Sequence, residues 1–164
     1  MGSQLLAANN MLIGTTNMLV TGLPEGWRLL EGYARPEVDE WTEYRDYRWV
    51  SRGQGVYLLV EPHPEQPGLV RAEVEFTVSA SPTLVPTPGG EPFAVGGHEG
   101  FRYQGSVPKG LLPRRIMPAL KVEWICPHTR RLLRIMLNGM PPAPLDSVAL
   151  GRLLSQVAAG VQCH

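Results

Sequence analysis

The stretch Leu69-Val-Arg-Ala-Glu-Val-Glu-Phe-Thr-Val-Ser79 decides the fold class. Val70, Ala72, Val74, Phe76 and Val78 fall on one side of an extended chain, and Arg71, Glu73, Glu75 and Thr77 on the other. Successive side chains of a strand point to opposite faces, so this alternation describes a strand with one packed face and one wet face. A parallel strand covered by helices on both faces reads as a continuous apolar run instead. An antiparallel sheet follows.

Working outward, Gln54–Val60 is apolar and β-prone, and Pro62 and Pro64 stop it. Phe93–Tyr103 has apolar flanks around Gly96-Gly97-His98-Glu99-Gly100, which predicts one strand with a kink or bulge. Ala119–Ile125, a turn over Cys126–Arg130, and Arg131–Leu137 predict a β-hairpin, with Val122 and Trp124 opposite in facing to Lys121 and Glu123. The proline-rich spans Ser81–Pro92 and Val107–Pro118 predict loops. After Asn138-Gly139 and three prolines comes the one convincing helix. Asp146 or Ser147 caps it, Leu150, Leu153, Leu154, Val157 and Val161 form its stripe, and Gly160 stops it.

The N-terminal third is less regular. Residues 1–20 suggest a hairpin or extension, with Met11–Ile13 and Met18–Val20 on either side of a turn at 14–17. A turn at 23–27, a short helical turn near 36–41 and a strand from about 43 to 51 complete the pass. Trp41, Tyr44, Tyr47 and Trp49 serve there as core or as interface anchors. No repeat and no linker divides the chain. The expected fold is a single α+β domain over residues 1–164: an antiparallel sheet of about five to seven strands, packed by the C-terminal helix and the short N-terminal helix as an αβα sandwich.

Composition bounds the function. The chain has 164 residues, 43% hydrophobic and 18% charged, which is too apolar for a disordered chain. Fifteen basic residues balance fifteen acidic ones. General nucleic-acid binding normally needs a basic excess, so that partner class is disfavoured. Of the basic residues 13 are Arg and only Lys109 and Lys121 are Lys, a skew that fits a GC-rich genome or a thermophile. Residues 1–24 lack ionisable side chains, but Asn9, Asn10, Thr15, Thr16 and Asn17 break the apolar runs. No window reads as a membrane span or export signal. The expectation is a cytoplasmic protein with no membrane partner.

The order of elements from Phe93-Ala-Val-Gly-Gly-His-Glu-Gly100 through Trp124-Ile-Cys-Pro-His-Thr-Arg130 to a last helix ending Val161-Gln-Cys-His164 resembles PsbP/Mog1/DcrB-like domains. The likeness spans roughly residues 20–164. It implies an αβα sandwich around an antiparallel sheet, and a protein that binds other proteins or larger assemblies. It carries over no catalytic residue.

Three readings of the only two cysteines stand side by side. A Cys126–Cys163 disulfide would close a loop of about 37 residues, worth roughly 3–4 kcal/mol in the chain-entropy model. A zinc site would use Cys126, His128, Cys163 and His164, at spacings tighter than usual for that metal. Otherwise both are reduced, buried and inert. Cys126 with His128 makes a poor nucleophilic pair, because i and i+2 diverge in an extended segment. Gly96–Gly100 lacks the signature of a phosphate loop. Arg114, Arg115, Arg130, Arg131 and Arg134, with Lys109 and Lys121, form a candidate positive face around the hairpin, and His98 and Glu99 a candidate binding edge. The leading expectation is a non-enzymatic protein-binding or scaffold domain with that crosslink and no cofactor. The alternative is a small zinc-binding or thiol-dependent protein.

Overall fold

The computed structural model describes residues 4–10, 15–20, 27–31, 33–36, 54–61, 68–78, 84–128 and 130–163. The helical turn expected near 36–41, the strand near 43–51, the aromatics Trp41, Tyr44, Tyr47 and Trp49, and His164 lie outside the described residues.

The strands are β1 (Gln4–Asn10), β2 (Thr15–Val20), β3 (Trp27–Glu31), β4 (Tyr33–Pro36), β5 (Gln54–Glu61), β6 (Leu69–Val78), β7 (Glu91–Val95), β8 (His98–Lys109), β9 (Arg115–Ile125), β10 (Leu132–Gly139) and β11 (Val161–Gln162); α1 is Ser147–Ala159. Two antiparallel sheets result. The larger runs β3-β5-β6-β10-β9-β8-β7, and the smaller β11-β2-β1-β4. They meet where β1 lies against β5 and β6. The fold is α+β and mostly sheet. The N-terminal hairpin pairs Leu6 with Val20 and Asn10 with Thr15, so Thr15, Thr16 and Asn17, expected in the turn, belong to β2.

The alternating strand sits where its pattern demands, in the interior between β5 and β10. Ala72, Val74 and Phe76 are fully buried, while the residues between them are only half-buried. Across the ladder Phe76 meets Ile135, Ile135 meets Val122, and Leu133 meets Trp124. This row makes the apolar face on which α1 packs through Leu150, Leu154, Val157 and Ala158, touching β7, β9 and β10. Asp146 caps the helix, its Oδ1 accepting from Ala149 N at 2.8 Å. Helical spacing would carry the stripe on to Val161, but the chain turns at Gly160 and Val161 enters β11 against Val20.

Two expected elements differ. Phe93–Tyr103 is not one kinked strand but the hairpin β7–β8, folded back at Gly96-Gly97. Both glycines have positive φ (54° and 83°), the requirement of the two-residue turn that matches strand twist. A Cβ at Gly96 would stand 2.1 Å from the Val161 carbonyl oxygen, so the turn is also pressed against the chain end. The second is Val107–Pro118, which is not a loop throughout. β8 and β9 stay paired out to Lys109 and Arg115, leaving only a tip at 110–114. Pro108 and Pro118 are tolerated because each lies where its strand has one open side: β7 pairs only with 98–102 of β8, and β10 reaches only Ala119 of β9.

Candidate functional site

Three places gather the chemistry of the described residues. The first is the meeting of the β9–β10 turn with the chain end. The turn closes through Arg130 N to Cys126 O (2.8 Å) and Cys126 N to Arg131 O (3.1 Å), burying Cys126 against the tail that follows α1. Cys163 is buried beside it, so the sequence placed the two sulfurs correctly. The crosslink expected between them is not formed. Both are free thiols, 2.9 Å apart where a disulfide needs about 2.05 Å. The Cys126 thiol proton is directed to the carbonyl oxygen of Cys163 at 3.1 Å.

His98 reaches Cys163, its Nε2 3.3 Å from Cys163 Sγ, while His128 is exposed on the turn. Among the described residues no group of three His, Cys, Asp or Glu side chains is gathered as a metal requires. The Cys163–His98 contact has the composition of a nucleophile and its base. Burial, reinforced by Cys126, pushes the Cys163 thiol up to about 12. Nucleophilic thiols are the reverse: partly exposed, with the thiolate favoured. This thiol stays protonated and sealed.

The second place is the sheet face opposite α1. Glu123 is fully buried there, although it occupies a wet position in the alternation. Its Oε1 accepts from Arg134 Nε (2.9 Å) and Nη2 (2.7 Å) and lies 3.1 Å from Lys121 Nζ, while Oε2 accepts from Thr87 N at 2.7 Å. Burial alone would raise this carboxyl; the donors from Thr87, Lys121 and Arg134 outweigh it and hold it down to about 2. Thr87 is further held by Lys121 Nζ on its Oγ1 (3.1 Å) and by the Tyr103 hydroxyl, which donates to its carbonyl. Burial and the neighbouring Glu123 charge raise the Tyr103 phenol. Gly90 lies so close to the Tyr103 ring that a Cβ would stand 2.6 Å from it. The proline-rich segment 84–90 is thus latched over the sheet by an ionised carboxylate whose oxygens are committed. Glu123 is a clamp, unsuited to general acid–base work.

The third place is the rim of the β7–β9 region. The single positive face expected from sequence divides. Arg114 and Arg115 stand at the start of β9, and Arg130 and Arg131 beyond its end, about 35 Å away along an 11-residue strand. Arg134 and Lys121 are both engaged by Glu123, and Lys109 by Glu73 at 2.6 Å. Arg114 and Arg115 remain exposed at the β8–β9 tip, beside Leu111 and Leu112, which are 95% and 92% exposed, and Ile116 at 66%. At the other end of β8, Pro92, Phe93, Ala94, His98, Glu99 and Phe101 line a cleft of about 470 Å³.

Sequence reading missed the clamp and the leucine tip. The signal for the clamp was a lone Glu between two cations on adjacent strands, which becomes informative only once β9 and β10 are in register. The tip gave no more signal than two adjacent apolar residues between Gly110 and Pro113, inside a span expected as a loop. No helix is long and apolar enough to cross a membrane, among the described residues. No family model, curated protein or solved structure matches the chain.

Proposed function

We propose that this chain is a non-enzymatic protein-binding or scaffold domain that acts in the cytoplasm, with the αβα layering of PsbP/Mog1/DcrB-like domains. The observation that carries the reading is the β8–β9 tip, where two leucines stand almost wholly in water beside two arginines. A lone exposed apolar residue means little, but adjacent ones rimmed by charge mark interaction surfaces. Two further features support it. Among the described residues the buried titratable groups are committed: Glu123 to its clamp, Cys126 to the Cys163 carbonyl and Cys163 to a protonated contact. Free thiols suit a reducing compartment.

A photo-crosslinking residue at Ile116, expressed in the native host, tests this. A discrete protein adduct is expected, lost when Arg114→Glu and Arg115→Glu are added. Absence of any adduct, or ester or phosphate hydrolysis by the purified chain that His98→Ala abolishes, would overturn the reading.

A further inference from the structure

We propose that one partner of the β8–β9 tip is a second copy of this chain, the Leu111–Leu112 tip of one protomer entering the β7–β8 cleft of the next. This rests on the binding reading above and names the partner. Residues 100–122 carry five basic side chains and no acidic one. Three of those cations are used within the chain: Arg102 by Glu91, Lys109 by Glu73 and Lys121 by Glu123. Arg114 and Arg115 have no carboxylate partner among the described residues, and they flank the two leucines.

The cleft offers the complementary chemistry. Its walls are Pro92, Phe93, Ala94 and Phe101, with Phe101 39% exposed, and its volume of about 470 Å³ lies in the range that admits side-chain-sized apolar groups. Glu99 stands exposed on its rim and pairs with no cation among the described residues. An apolar knob with free arginines therefore faces an apolar socket with a free carboxylate. Opposite charge of this kind sets the register of an encounter and speeds it.

Knob and socket sit at the two ends of β8, about 35 Å apart along a 12-residue strand, so the tip does not serve its own cleft. The contact is then between copies and head-to-tail. A contact of that kind leaves one free tip and one free cleft on every assembly, and it extends into chains unless the rotation closes a ring. The surface involved is small, so association is weak and depends on concentration.

Sedimentation velocity from micromolar to millimolar protein, at low and high salt, tests this with two variants altered only at exposed positions of the tip or the cleft. The tip variant is Leu111→Ser with Leu112→Ser. The cleft variant is Ala94→Trp with Glu99→Lys. Circular dichroism and the thermal midpoint establish that each remains folded. The wild type is expected to gain mean mass with concentration, less so at high salt, and each variant alone to associate about tenfold or more weakly. A mixture of the two is expected to form a 1:1 heterodimer and nothing larger, since only one intact tip and one intact cleft are present.

A wild type that stays monomeric throughout, variants that associate like the wild type, or a mixture without heterodimer overturns the proposal. So does a monomer whose tip binds phosphatidylglycerol vesicles, which assigns the leucines to a lipid surface. An Ile116 adduct with a different protein, from a chain monomeric when pure, overturns self-docking and leaves the binding reading standing.

Discussion

The two faces of the central sheet bury comparable residues by opposite means. On the helix side, Trp124, Val122, Ile135 and Phe76 pack against Leu150 and Leu154, and the face is held by area removed from water. On the other side Glu123 is as deeply buried as Trp124, yet it is held by four donors from Thr87, Lys121 and Arg134. Apolar area carries no group that titrates, whereas the clamp depends on one proton. The helix side is thus the source of stability, and the clamp side decides where segment 84–90 lies.

Truncation on the helix side gives the largest expected loss. Trp124→Ala removes a fully buried indole and leaves a cavity beside Leu133 in the cluster closed by α1, a cost of about 3–5 kcal/mol in urea denaturation. A loss under about 1 kcal/mol would mean that α1 does not close this face.

The clamp is expected to come next, and its acid dependence identifies it. The folded-state pKa of Glu123 lies below its ordinary 4.5, at about 2. A depressed carboxyl contributes stability above the unfolded value and loses it as pH falls through the folded one. The contribution is therefore complete above about pH 4.5 and fades toward pH 2, with a ceiling of about 3 kcal/mol. Glu123→Gln should flatten this window and free segment 84–90, read as faster amide exchange at Thr87. An unchanged acid profile would remove the clamp from the account.

Asp146→Ala tests the attachment of the helix more gently. Removing the oxygen that accepts from Ala149 N should cost about 1 kcal/mol, measured by the same denaturation. Reductant should move the midpoint not at all, and thiol reagents should titrate Cys126 and Cys163 only after unfolding. A stability that falls by about 2–4 kcal/mol on reduction would signal a crosslink instead. The smallest effect among the substitutions belongs to the tip: Leu111→Ser with Leu112→Ser should leave stability within about 0.5 kcal/mol, since both side chains already stand in water.

Legibility followed the range of the interaction. Leu69–Ser79, the cap at Asp146 and the pairing of Ala119–Ile125 with Leu132–Leu137 were readable because alternation, capping and turn spacing are properties of neighbouring residues. The β7–β8 turn was misread as a bulge, since Gly96-Gly97 suits either and only the φ values and the pairing of Val95 with His98 separate them. Among candidate site residues, the proximity of Cys126 and Cys163 was inferred correctly from element order. Their chemistry was not, because a carbonyl at 3.1 Å and the histidine 65 positions away are facts of packing.

By itself the sequence determined an antiparallel α+β fold, a helix docked through Leu150, Leu154 and Val157, and the arrival of the chain's end at the β9–β10 turn. Periodicity and chain connectivity carry that much, because they act over a few residues at a time. Tertiary structure alone decided that the positive face divides, that Glu123 is an ionised clamp and that two leucines stand free beside two arginines. Charge pairing and exposure are set by which strands become neighbours, and only the closed sheet fixes that order.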